Sequence, residues 1–91
     1  LLMLENRIKN RLRREVMHEI TWQSIVQAFQ NADQSQKNRL VEAVSEGNGK
    51  AVSRSFLRVM KAWVDVKVQT EYDQIMADGQ LSAAELDRLF P

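Results

Sequence analysis

The sequence predicts an all-α fold, a compact bundle of four to five short helices in one domain spanning residues 1–91. Three observations carry this expectation. Apolar residues recur at three- and four-residue steps through almost the whole chain, the period of a helix with one buried face. Strand-type alternation of any length is absent. Chain breakers are scarce and fall between the periodic segments: Gly47, Gly49, Gly79 and a terminal Pro91.

The first helix is expected from Leu4 to His18 or beyond, because Leu4, Ile8, Leu12, Val16 and Ile20 repeat every four residues as one stripe. Trp22, Ile25, Val26 and Phe29 form a second apolar set, with Thr21 placed to cap it. Residues 4–31 read either as one long helix or as two broken near Ile20-Thr21. Two are favoured, since a single helix would run about 40 Å, too long to bury in so small a fold. A turn follows at Asn31-Ala32-Asp33, and Asp33-Gln34-Ser35-Gln36 has capping-box form. The helix after it is expected to bury Leu40, Val41 and Val44 and to stop at Gly47 in the left-handed conformation.

The longest helix begins near Lys50. Val52, Phe56, Val59, Met60, Trp63 and Val64 give it a broad apolar face. It reads as the central helix, packed by the Trp22/Ile25/Phe29, Leu40/Val41/Val44 and Leu86/Leu89/Phe90 faces. Past Val66 the pattern shifts, and Val68, Tyr72, Ile75 and Met76 fall on or beside the face that carries basic residues. Either the helix bends near Lys67 or its last turns pack against a different neighbour. The second reading is favoured, with another copy of the chain as one such neighbour, so Val68, Tyr72 and Ile75 form a candidate self-association face. Asp78-Gly79 ends the helix, and Ser82-Ala83-Ala84-Glu85 opens the last one as a capping box with Leu81 and Leu86 at the staple positions.

Composition narrows the function classes. A chain of 91 residues buries roughly 60–65% of its unfolded surface, enough for one modest core. Oligomerisation, a homodimer for instance, would add burial at this size. A net charge of +1 predicts no general attraction to nucleic acid or membranes. Charge is uneven along the chain, however. Lys50, Arg54, Arg58, Lys61 and Lys67 stand against Asp65 alone, whereas Glu71, Asp73, Asp78, Glu85 and Asp87 stand against Arg88. The absence of cysteine removes disulfides, thiolate metal sites and thiol catalysis. Leu1-Leu2-Met3-Leu4 is too short for a signal-peptide core, with Met3 a candidate start, and no apolar run reaches membrane-spanning length. A cytoplasmic protein without membrane association is expected.

Two basic rows are the only constellations that suggest a site. Arg7, Arg11 and Arg14 sit at i, i+4, i+7, and Lys50, Arg54, Arg58 and Lys61 at i, i+4, i+8, i+11. At 100° per residue each set shares one helix face. Such a face meets phosphates or an acidic protein surface, or is simply the wet side of an amphipathic helix. An arginine-rich helix with interleaved Asn6 and Asn10 suits phosphate and base-edge contact. Against that, Glu15 is placed to pair with Arg11 along the helix, and no exposed aromatic is interleaved for base stacking. Asp65 is likewise placed to pair with Lys61.

Other chemistry is weakly represented. Residues 77–86 resemble the second half of an EF-hand loop, but Gln74 and Met76 stand where the leading acidic ligands belong. His18 is the only histidine and has no nucleophile or orienting group in a suggestive spacing, so it reads as a helix-end residue. Gly47-Asn48-Gly49-Lys50 lacks the strand and spacing of a phosphate loop. Trp22 and Trp63 read as core anchors. No catalytic residue, metal site or cofactor is expected.

The Asn/Gln-rich surface, the segment Gln36–Val44 and the ending Asp78-Gly79-Gln80-Leu81-Ser82 resemble small accessory proteins of enterobacterial temperate phages. That resemblance implies a stoichiometric factor that binds a host or phage machine or assists assembly, and it assigns no residue a role. The expected function is therefore a non-enzymatic protein-interaction factor with an acidic partner engaged by Arg7, Arg11, Arg14, Lys50, Arg54, Arg58 and Lys61. Nucleic-acid binding through the Arg7–Arg14 helix is the alternative.

Overall fold

The computed structural model describes residues 2–78 and 81–90. The described residues form five helices and no strand: α1 (Leu2–His18), α2 (Trp22–Asn31), α3 (Gln34–Ser45), α4 (Gly49–Ile75) and α5 (Ala83–Leu89). A single 3-10 turn, Met76–Asp78, follows α4. The all-α expectation holds. Four of the helices are short, while α4 runs for 27 residues. Among the described residues no helix is long and apolar enough to cross a membrane.

The helices sort into two compact units, one of Leu1–Glu19 with Val64–Pro91 and one of Ile20–Trp63. α4 is continuous and serves both, residues 49–63 in the second unit and residues 64–75 in the first. Its apolar residues explain how. Phe56, Met60, Val64, Val68 and Tyr72 step by four, and each step of four advances about 40° around a helix. The buried stripe therefore migrates around α4, and its two halves offer different faces to different neighbours.

Each break in the chain has a local cause. Between α1 and α2 the Thr21 hydroxyl accepts from the Ser24 N–H and Ser24 Oγ accepts from the Thr21 N–H, both at 3.2 Å. This reciprocal cap separates residues 4–31 into two helices. Ile20 and Ile25, the positions before the cap and four into the helix, both pack on the same apolar cluster, as a hydrophobic staple does. Asp33 caps α3 as expected: its carboxylate accepts from the Gln36 N–H at 2.9 Å, and Gln36 Oε1 accepts from the Asp33 N–H at 3.3 Å. The Ser35 hydroxyl and the Gln36 N–H hold the Asp33 carboxyl below its ordinary pKa.

α3 ends in a Schellman turn. Gly47 has φ +65°, and the N–H groups of Gly47 and Asn48 donate to the carbonyls of Val44 (3.1 Å) and Ala43 (3.0 Å). Asn48 then caps α4, accepting at Oδ1 from the Ala51 N–H at 3.1 Å. Ser82 caps α5 through the Glu85 N–H at 3.1 Å. The second half of the expected capping box does not form, because the Glu85 carboxylate turns to Arg88 instead. The expected stop at Asp78-Gly79 falls partly outside the described residues, as does part of the EF-hand-like stretch.

In the unit of residues 20–63 the core is Ala28, Val59 and Met60, flanked by Ile20, Ile25, Phe29, Ala32, Phe56 and Trp63. The rings of Phe29 and Phe56 lie 5.9 Å apart. Trp63 is thus a core residue, and Trp22 is not: it is 84% exposed. Ile20 fills the end of the cluster next to the Thr21 cap and leaves Trp22, the first residue of α2, pointing outward. Val41 and Val44 are exposed as well. α3 faces inward through Gln36, Leu40 and Ala43, at i, i+4 and i+7, and buries the small Ala43 rather than a valine.

In the other unit α1 buries Ile8, Leu12 and Val16, the middle of the expected stripe, alongside Val64, Val68 and Leu89, whereas Leu4 at its start is exposed. Full burial of each such side chain contributes roughly 1.5–3 kcal/mol. α1 lies beside the second half of α4, where Lys9 Nζ donates to Gln69 Oε1 at 2.9 Å and sits 4.9 Å from the Tyr72 ring centre, and Arg13 pairs with Asp65. This corrects one expectation and answers another: Asp65 is held by Arg13 rather than Lys61, and the last turns of α4 do meet a different neighbour, which is α1 of the same chain. Val68, offered as a self-association residue, is 2% exposed, and Tyr72 and Ile75 are half-buried. α5 packs on α1, burying Leu89 while Leu86 and Phe90 stay partly exposed.

Candidate functional site: a basic groove on α1 and α5

Stepping 100° per residue along α1 places Arg7, Arg11 and Arg14 within roughly 60° of one another. Lys9 and Arg13 fall on the other flank of the buried stripe, where α4 engages them. The α1 cations are thereby divided. One pair fastens helices together, and the row of three faces a groove of about 500 Å³ with Asn10 on the same wall. Leu89 and Phe90 from the end of α5 form the apolar side. Arg7 lies over the Phe90 ring, 5.4 Å from its centre, a cation–π distance.

The charges in this groove are weakly compensated. Arg14 is exposed and makes no hydrogen bond or ion pair among the described residues. Arg11 Nε is 3.9 Å from Glu15 Oε1, too long for a hydrogen bond, and is a buried donor left without an acceptor. Glu15 is committed elsewhere: its other oxygen accepts from Arg88 Nη1 at 2.9 Å. Arg88 also reaches Glu85 at 3.3 Å. Burial lowers the Arg88 pKa, but Glu15 and Glu85 together hold it above its ordinary value. The helical Arg11–Glu15 ion pair expected from the spacing is present at 3.9 Å, and the other Glu15 oxygen makes a shorter tertiary pair that anchors α5 on α1.

The second basic row meets different surroundings. Lys50 and Lys61 are exposed. Arg54 and Arg58 line a depression of about 260 Å³ between α3 and α4, together with Arg39 and the carboxylates of Glu42 and Glu46. A third depression, about 380 Å³ between α1, α4 and α5, gathers Glu15, Glu19, Glu71 and Glu85 around Arg88. His18 is the exposed last residue of α1. Among the described residues no group of three or more His, Asp and Glu is arranged to hold a metal ion.

Chemically, the α1/α5 groove presents three guanidinium forks and one amide along about 10 Å of helix, beside an apolar wall. That suits carboxylates or other oxyanions carried next to an apolar side chain. Sequence reasoning found the arginines and missed the wall, because Phe90 and Leu89 read as core. The Arg7–Phe90 and Glu15–Arg88 contacts join residues more than seventy positions apart, which no local spacing encodes. No family model, no curated protein and no solved structure matches this chain.

Proposed function

We propose that the protein is a non-enzymatic interaction factor whose α1/α5 groove binds an acidic segment of a protein partner. The observation that carries this is the state of the arginine row. Arg14 is unpaired, Arg11 has a buried donor without an acceptor, and both line a groove with Leu89 and Phe90. Arg14 is the exposed cation of the row and has no ion-pair partner, so a partner carboxylate there would make a charge-assisted bond that the free chain lacks. Phe90 and Leu89 supply apolar contact, which favours a polypeptide with acidic and apolar residues interleaved over a bare polyanion. The likeness to phage accessory proteins agrees with such a role.

The test is a titration of the labelled protein with an acidic amphipathic helical peptide, and separately with short duplex and single-stranded DNA and RNA, at ~50 and ~200 mM salt. Saturable peptide binding that shifts the resonances of Arg11, Arg14 and Phe90 supports the reading. Arg14→Glu and Phe90→Ala should then each weaken it about tenfold, near 1.4 kcal/mol. Nucleic-acid binding that falls by orders of magnitude over this salt range, with no peptide binding, would replace it with the phosphate-binding alternative.

A further inference from the structure

The turn between α3 and α4 holds an asparagine followed by a glycine, Asn48-Gly49, and residues 47–49 are all exposed. The chain has five asparagines, and the other four, Asn6, Asn10, Asn31 and Asn38, are followed by arginine or alanine. Covalent connectivity puts the nitrogen of the next residue within five-membered-ring reach of an asparagine side-chain carbon. A side chain on that next residue crowds the approach, and glycine has none. At Gly47 and Gly49 alike a Cβ would meet nothing within 4 Å, so no other part of the chain covers the turn on those sides. The local hydrogen bonds prepare both reacting groups. Gly49 is the first residue of α4, so its N–H has no intrahelical acceptor, and none of the described residues supplies another. Asn48 Oδ1 accepts from the Ala51 N–H at 3.1 Å, which holds the side chain against the turn and polarises its carbonyl. When the Gly49 nitrogen adds to Asn48 Cγ, negative charge develops on Oδ1, where that N–H already points.

We propose that Asn48 is a self-modification site, at which the folded chain deamidates through a succinimide to an aspartate or isoaspartate form. The Gly49 nitrogen gives its proton to water and bonds to Asn48 Cγ; the Cγ–Nδ2 bond breaks, and ammonia leaves with a proton taken from solvent. One water then opens the ring. Its attack at Cγ gives aspartate, and its attack at the Asn48 main-chain carbonyl carbon gives isoaspartate, with one more methylene in the main chain. Nothing is oxidised or reduced. Either product adds a carboxylate and takes the net charge at pH 7 from +1 to zero. The aspartate form keeps the cap and places a negative charge at the N-terminus of α4, where the helix dipole favours it. The isoaspartate form inserts its methylene between two bonded groups. They are the Asn48 N–H, which donates to Ala43 at 3.0 Å, and the Asn48 carbonyl, which accepts from the Val52 N–H at 3.0 Å. The Schellman turn and the first turn of α4 then no longer fit together.

The experiment is incubation of the full chain, folded, in mildly alkaline and mildly acidic buffer, followed by isoelectric focusing, intact mass and peptide mapping, with isoaspartyl methyltransferase labelling to count isoaspartate. A first-order gain of an acidic species is expected, with the mass change of an NH₂-to-OH exchange. It should map to Asn48 ahead of the other four asparagines and run faster at the higher pH. Gly49→Ala keeps the fold, because Gly49 has no positive φ, and should slow conversion about tenfold or more by crowding the attacking nitrogen. Asn48→Asp should reproduce the acidic band and melt at or above the wild type, whereas the isolated isoaspartate fraction should melt below it. Conversion in urea but not in the folded chain would show that the fold protects Asn48 and would overturn the proposal. So would a rate at Asn48 no greater than at the other asparagines, or one that Gly49→Ala leaves unchanged.

Discussion

Two glycines, two residues apart, should respond to alanine with opposite signs. Around both Gly47 and Gly49 a Cβ would meet nothing within 4 Å, so crowding does not separate them. Backbone conformation does. Gly47 has φ +65° and closes the Schellman turn, whereas Gly49 opens α4 without a positive φ. Alanine in the left-handed region costs about 1–2 kcal/mol, offset by about 0.4–1 kcal/mol from the reduced freedom of the unfolded chain. Gly47→Ala should therefore destabilise by about 0.8 kcal/mol, the midpoint of a difference spanning roughly 0–1.6 kcal/mol. At Gly49 only the unfolded-state effect operates, and Gly49→Ala should stabilise by about 0.4–1 kcal/mol. At this chain length each kcal/mol moves the melting midpoint by roughly 4–8 °C. The variants should thus melt on opposite sides of the wild type in a far-UV circular dichroism scan, with urea titration as the second measure. Gly47→Asn should lose less than Gly47→Ala, because asparagine visits the left-handed region more readily. Shifts of the same sign at the two positions would refute the reasoning.

Leu12→Ala removes a side chain that is 0% exposed and should lower stability by about 2–5 kcal/mol in urea unfolding; a loss below about 1 kcal/mol would mean that the α1 stripe is not core. Trp22→Ser should change stability by no more than about 0.5 kcal/mol, while Trp63→Ala should lose on the order of 2–3 kcal/mol. Acrylamide quenching should then report one open and one shielded tryptophan. The Asp33 carboxyl has a folded pKa below its unfolded one, so its contribution is present above the unfolded value near 3.9 and fades as pH falls through the lower, folded value. Asp33→Ala should melt a few degrees below wild type at pH 7, with the gap closing in acid. A gap constant down to the lowest pH would show that the cap is not electrostatic.

The legible parts of the structure were those governed by neighbours in sequence. The caps at Thr21 and Asp33, the left-handed Gly47 and the Ile8/Leu12/Val16 stripe each depend on residues within one or two turns, and each stands where the spacing places it. The failures share a different cause. Trp22, Val41 and Val44 are as apolar as the residues that are buried, and only the partner surface decides which are covered. Ile20, read as the end of the α1 stripe, serves the cluster around α2, because the Thr21 cap redirects the chain. Along α4 the four-residue steps did signal a change of neighbour, but periodicity carries no information on which neighbour that is.

The candidate site follows the same division. All three arginines of the α1 row were visible as a row, yet a row of cations on a helix is ordinarily screened by its own i+4 carboxylates. What distinguishes this one is competition for Glu15. Arg88, 73 residues away, takes that carboxylate at 2.9 Å, and Arg11 is left at 3.9 Å with its Nε buried and unbonded. The same Arg88 contact seats α5 so that Leu89 is covered and Phe90 stands against Arg7. One tertiary ion pair thus does two things: it shares the Glu15 counter-charge, leaving Arg11 the longer 3.9 Å contact, and it brings up the apolar wall that turns the row into a groove. A basic helix face alone would be a solvated surface; joined to α5 in this way, it becomes a groove with guanidinium groups on one wall and Leu89 and Phe90 on the other.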